Sequence, residues 1–392
     1  METAELLSLI AKGEDSGQQL KANVTNANAL AAEMVAFSNG RGGLILIGVG
    51  DDGSIAGLTR EDMSRLNQLV SNAATQLVRP PINPQTENIV LPDGMIMVIR
   101  IEAGISKPYM DNEGRIWVKS GADKRKVTAR EELQRMYQSA ALVHGDEIPV
   151  AGSGIVDLDR GYFADFMEQK LGEMIDNLDI GLPRLLENMN LMKAGQLTIS
   201  ALLLFGQRPQ LRLPVFIVKA VAFPGNDIAD MNYLDSQDIA GKLADVFQRT
   251  LSFILGNLRH QQAGQGFNTL GQPEIPRIVF EELVANALIH RDYFVSAPVR
   301  VLVFANRIEI ISPGHLPNNL TVENIKLGNS NIRNPVLASF ATRILPYRGL
   351  GSGILRALKA WPPIDFQDDR DGNQFKVVIY RKHTIPSVGV GP

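Results

Sequence analysis

The chain has 392 residues, 45% of them hydrophobic and 21% charged, with no cysteine and a formal net charge of −3. That length holds two cores; the missing cysteines exclude a disulfide framework and thiolate metal sites and point to a reducing, cytoplasmic setting. No uncharged apolar run of about 18 residues occurs, so no transmembrane helix is expected, and near-neutral charge leaves phosphate binding to a local patch.

In chain order, an amphipathic helix is expected near 3–12, without the basic and apolar regions of a leader peptide. After a polar stretch, Leu30, Met34 and Phe37 mark one face of a second helix. Asn39-Gly40 suits a left-handed C-cap for it, and 44–49 reads as a buried strand. A long helix spans 59–78, with Thr59 as N-cap and Asp62 as the capping-box acid, and Pro80-Pro81 stops it. Strands follow at 87–91 and 94–102, then a short strand pair around 108–118 and a helix from Thr128. HGDEIPVAGSG (144–154) breaks the pattern, giving a domain over 1–145 and a linker over 146–158. The second domain, 159–383, shows helices at 159–175 and 182–192, a strand at 214–223, a helix at 237–260 and another after Pro276. Strands at 298–304 and 306–312, two late helices and a strand at 375–380 complete it. The tail 384–392 reads as disordered.

Within AFSNGRGGLILIGVGDDGSIAGL (36–58), Gly40 and Gly42-Gly43 permit backbone conformations closed to other residues. They either form an anion-binding nest beside Arg41 or merely solve the sterics of a helix–strand connection. Residues 1–145 carry 15 basic against 17 acidic side chains, yet 115–130 holds Arg115, Lys119, Lys124, Arg125, Lys126 and Arg130 against Asp123 alone. Taken whole, FSNGRGGLILIGVGDDGSIAGL followed by RIWVKSGADKRKV resembles the Schlafen-type AlbA-like domain over roughly 12–135. The resemblance implies an AlbA-like mixed sheet with helices that binds DNA or RNA. Asn39, Arg41, Gly42 and Gly43 would form its loop, and Lys119, Ser120, Lys124, Arg125 and Lys126 would supply phosphate contacts. Some members of that family cut RNA with clustered carboxylates on a metal. Glu14 fits the first position, but Gln19 stands at the second, and Asp51 or Asp52 is the remaining candidate; the neutral amide argues against a nuclease.

In EIPRIVFEELVANALIHRDYF (274–294), Phe280, Leu283, Val284, Ala287 and Leu288 form a helical core stripe, while Glu282, Asn286 and His290 recur every four residues on another face. By itself such a face is a solvated one. EELVANALIHRDY, RIEIISPGHLP, RNPVLASF and RGLGSGI in this order, over about 155–383, resemble the ATPase-like C-terminal domain of RecG-related regulators, a divergent member of the GHKL superfamily. An α/β sandwich is then expected. Glu282 would be the catalytic base and Asn286 the Mg²⁺ ligand. His290, Arg291, Ser312, Gly314, Arg348, Gly349, Gly351 and Gly353 would complete an ATP site. Ser312 departs from the pattern, which has an aspartate there to accept the adenine amino group; a lost charged partner costs about 1.5–3 kcal/mol. His144, His260, His290, His315 and His383 show no zinc spacing, and no P-loop motif occurs. The expected fold is therefore α/β in two domains, and the expected function a DNA-binding transcriptional regulator that binds ATP, assembles as a homodimer and touches no membrane. Readings as an ATPase with Glu282 as base, or as a scaffold, stay open.

Overall fold

The computed structural model describes residues 2–140, 142–174, 179–261, 271–317 and 320–382. The expected tail 384–392, and His383, lie outside them. Two compact units divide the chain, Met1–Val143 and His144–Pro392.

In the first unit, α1 (Thr3–Lys12) is followed by β1 (Gln18–Lys21), which sequence polarity hides: Gln18 and Gln19 are buried beside Leu20. The Asn26 side chain caps α2 (Ala27–Asn39), which crosses over so that β2 (Gly42–Ile47) pairs parallel to β1. The expected left-handed cap at Gly40 is corrected: its φ is −87°, and the positive φ of +81° falls at Gly42. The Thr59–Asp62 capping box starts α3 (Arg60–Asn72), which passes through a π-turn into β3 (Val78–Arg79). The hairpin β4 (Gln85–Leu91) and β5 (Gly94–Glu102) completes a sheet of order β1-β2-β5-β4. The strand pair expected at 108–118 is differently partnered. β6 (Met110–Asp111) joins β3, whereas β7 (Trp117–Ser120) and β8 (Asp123–Lys126) make their own hairpin. Then comes α4 (Arg130–Ser139). Leu30, Met34 and Phe37 of α2 and Leu66 of α3 pack on one face of the sheet; Leu6 and Ile10 of α1 pack on the other.

In the second unit, the segment expected as a linker packs inward. Asp146 accepts from the Leu337 amide at 2.8 Å, Pro149 bridges Thr198, and Leu158 joins the core. The order continues with α5 (Arg160–Phe166), α6 (Leu182–Asn188), the hairpin β9 (Met192–Lys193) and β10 (Gln196–Leu197), α7 (Ile199–Phe205) and α8 (Pro209–Arg212). The helix expected over 237–260 is instead an edge strand and a shorter helix. After β11 (Val218–Ala222), β12 (Asp235–Ile239) ends ahead of Gly241, whose φ of +136° breaks the chain before α9 (Leu243–Gly256). A small hairpin, β13 (His260–Gln261) and β14 (Gln272–Pro273), precedes α10 (Arg277–Ile289). Then follow β15 (Val299–Val303), β16 (Arg307–Pro313), α11 (Val322–Lys326), α12 (Pro335–Ile344), α13 (Gly353–Ala360), β17 (Ile364–Asp369) and β18 (Gln374–Tyr380). The sheet order is β12-β11-β15-β16-β18-β17. Residues of α9, α10, α12 and α13 share one core with Val301, Ile310 and Val377 of the sheet, while Phe304 and Ile311 belong to a small cluster on its other face. Both units are thus mixed α/β.

Candidate functional site

In the first unit, the loop and the basic hairpin do come together, but mostly to bond each other. Asn39 donates to the carbonyls of Tyr109 and Trp117, both at 2.9 Å, and accepts from the Tyr109 amide at 2.7 Å. Its carboxamide, expected as a nucleic-acid contact, here clamps the loop to the Tyr109 and Trp117 backbone. Gly42 and Gly43 serve sterics: a Cβ at Gly42 would sit 2.6 Å from the Ile101 carbonyl oxygen, and one at Gly43 would collide with the Phe37 ring.

The lysines are also engaged. Trp117 stands opposite Lys126 in the hairpin, and Lys119 opposite Lys124, so all four share a face. Lys119 is buried over the Phe37 ring, 2.8 Å from Gln19 Oε1 and 3.8 Å from Glu33. Burial holds its pKa below the usual lysine value. Lys124 pairs with Glu33 at 2.6 Å, and Arg125 grips Glu132 with both ends of its fork, at 2.7 and 2.9 Å. Lys119, Lys124 and Arg125, expected as phosphate contacts, thus have carboxylate partners within the unit, and Arg125 stays about half exposed. Ser120 is exposed at the hairpin turn. Arg41 and Lys126 are exposed and have no ionic partner among the described residues.

At the position where a nuclease would need a second carboxylate, Gln19 donates to Glu14 and accepts from Lys119, bridging an anion and a cation. Glu14 also accepts from the Leu20 amide and pairs with Lys21 at 3.3 Å. Among the described residues, no group of three or more His, Asp or Glu side chains is poised to hold a metal ion.

In the second unit, α10, β16, α13 and the loops before α12 and α13 enclose one cavity of about 110 Å³. Glu282, Asn286, His290, Ser312, Gly314, Arg348, Gly349, Gly351 and Gly353 all line it, among apolar Leu283, Ile310 and Phe366. The four-residue steps on α10 place the first three in one row. His290 shares a hydrogen bond of 2.9 Å with the Tyr347 hydroxyl. Burial, then the Arg333 charge, pushes its pKa down to about 4, so the ring is neutral at physiological pH. Gly314 must be glycine: its φ is +96°, and a Cβ would strike Asp292 and Arg333. The Ser312 hydroxyl donates to the Ala287 carbonyl at 3.0 Å, tying β16 to α10. Gly349 and Gly351 hold φ of +67° and +71° in the turn before α13.

Arg291 does not reach this cavity. It is buried against the rings of Phe216 and Tyr293 and donates to the carbonyls of Val295 and Ala297. Sequence reasoning also missed Arg356, which donates from Nε to Glu282 at 2.6 Å and from Nη1 to Ser352 at 2.6 Å. Its position three residues after Gly353 puts it one helical turn into α13, on the glycine's face; that spacing was readable had the glycine turn been taken as a helix start.

Residues 14–128 match the family model described as "Schlafen, AlbA_2", and residues 296–379 match the one described as "Putative ATP-dependent DNA helicase recG C-terminal". Over these two segments the chain is similar to a Schlafen AlbA_2 domain and to a RecG-type C-terminal domain. The AlbA_2 match takes in β1 through β8, hence the Gln19 bridge and the whole basic hairpin; the RecG-type match begins after α10 and leaves Glu282 and Asn286 outside it. Solved structures similar to the chain include the following two. The DIP2311 protein from Corynebacterium diphtheriae is 21% identical, with a TM-score of 0.46, covering 97% of this chain and 80% of its own. The N-terminal domain of a RecG-related protein from Nitrosomonas europaea is 18% identical, with a TM-score of 0.24, covering 33% of this chain and 97% of its own. No curated protein matches. No helix among the described residues is long and apolar enough to cross a membrane.

Proposed function

We propose that this protein is a nucleic-acid-binding regulator whose second unit binds a purine nucleotide, ATP by preference, as a ligand held rather than rapidly hydrolysed. The observation that carries the nucleotide reading is the gathering of Glu282, Asn286, Ser312 and the 349–353 glycine turn on a single cavity. Its apolar lining suits a base, and the glycine turn with exposed Arg348 suits phosphates. Mg²⁺ would arrive on the phosphates, with the Asn286 carboxamide oxygen as its protein donor. Glu282 is paired with Arg356, which removes it from service as a free base and favours binding over turnover. Isothermal titration with a non-hydrolysable ATP analogue and Mg²⁺ tests this; one saturable site is expected, and a heatless titration with no shift in melting temperature refutes it.

Nucleic-acid binding by the first unit draws on the AlbA_2 family match and on Arg41 and Lys126. Of the nine residues expected there from sequence, these two keep exposed, unpaired charge. The interaction is thereby read as narrow, with few phosphate contacts and a correspondingly shallow salt dependence, rather than as a broad basic face. Transcriptional control and homodimer formation are part of the same proposal. They call for a reporter assay and for sedimentation analysis, respectively.

A further inference from the structure

We propose that Glu282 is an anchor that aims Arg356 at the terminal phosphate of a bound nucleoside triphosphate, making Arg356 the residue that separates tri- from diphosphates. This rests on the nucleotide-binding reading of the same cavity and reassigns Glu282 from base to positioning residue.

The Glu282 side chain is 4% exposed, and its Oε1 receives the Arg356 Nε proton at 2.6 Å. Its other oxygen faces the first residue of α13: a Cβ at Gly353 would lie 2.6 Å from Oε2 and 3.4 Å from Asn286 Nδ2. The backbone of the glycine turn therefore packs closely against the carboxylate on that side, where only glycine fits. Enclosing a carboxylate is costly without a counter-charge beside it, and Arg356 supplies one. The arginine itself is 29% exposed and lines the cavity.

A guanidinium carries five N–H donors in a rigid fork. Here one goes to Glu282 and one to Ser352, which itself belongs to the glycine turn. The three donors that remain have no protein partner among the described residues. Arginine held by a carboxylate through Nε, with its terminal nitrogens presented to a cavity, is ready for a phosphate dianion without abandoning the buried anion. A latch that had to release Glu282 would strand a buried charge, and is the costlier design.

The test compares adenosine, ADP and a non-hydrolysable ATP analogue by titration against the full chain, R356Q and E282Q. The wild-type protein is expected to favour the triphosphate. In R356Q that preference falls about tenfold to hundredfold, while adenosine affinity is unchanged. In E282Q, which keeps the shape but loses the anchor, the preference also falls. A base would behave otherwise, since E282Q would then leave the binding of analogues as it was. Failure of all three ligands to bind the wild-type chain removes the nucleotide reading itself. Binding with the triphosphate preference intact in R356Q overturns only the role of Arg356. If R356Q does not fold, the double variant E282Q/R356Q removes both charges of the pair together, and the same loss of preference is expected of it.

Discussion

The Asn39 carboxamide meets three backbone groups on Tyr109 and Trp117, so its loss would leave an amide and two carbonyls unpartnered. At about 1 kcal/mol for each bond, Asn39→Ala is expected to cost about 2–4 kcal/mol, read as a lower urea midpoint for the unfolding of the first unit. An unchanged midpoint would mean that water replaces all three. Asp146 gives a pH-dependent counterpart. Fully buried, its carboxylate bonds the Leu337 amide through Oδ2, while Oδ1 has no partner. Burial pushes its pKa up to about 6, ahead of any contribution from the neighbouring Glu147 and His144 charges. A folded-state value above the unfolded one means that this site's stability is complete at low pH and is lost as pH rises from about 4 through about 6. The loss is on the order of 3 kcal/mol. Asp146→Asn should flatten that stretch of the curve, as urea midpoints collected between pH 4 and 8 would show; a parallel offset at every pH would contradict it.

Elements differed in how plainly the sequence announced them. The Thr59–Asp62 capping box and the apolar stripe of α10 were legible because local chemistry and burial agree there. β1 was not, since Gln18 and Gln19 are buried by hydrogen bonding rather than by hydrophobicity: Gln18 donates to the Leu9 carbonyl at 2.8 Å and Gln19 joins Glu14 to Lys119. β12 was missed because DSQDI, exposed along three of its residues at the sheet edge, carries no apolar alternation. The cavity was partly legible: the row Glu282, Asn286, His290 follows from helical spacing, but Arg356 comes from a distant helix that only tertiary packing delivers. The β1 network makes a prediction of its own. Gln19→Glu would set a second carboxylate against Glu14, and like charges in such a site disfavour joint ionisation. The variant should melt below the wild type in a chelator and recover with Mn²⁺ or Mg²⁺, whereas the wild type should be indifferent to the metal. Equal behaviour of the two proteins would show that Lys119 alone absorbs the added charge.

At the scale of the whole molecule, the acids and bases nearly cancel, and the hairpin cations Lys119, Lys124 and Arg125 of the first unit answer carboxylates of that same unit. Binding to a polyanion then depends on few charges. Fluorescence anisotropy with duplex DNA, single-stranded DNA and RNA should give a shallow salt slope, near two released counterions, and R41E/K126E should abolish binding. A slope several times steeper, or retention of binding in the double variant, would locate the surface elsewhere. The central claim is that the second unit holds a nucleotide in the α10–α13 cavity. Photolabelling with 8-azido-ATP, followed by peptide mapping, tests it most directly. The label is expected on peptides from the α10, β16 or glycine-turn walls, and unlabelled ATP should suppress it. Label confined to other peptides, or labelling that excess ATP leaves untouched, would contradict it.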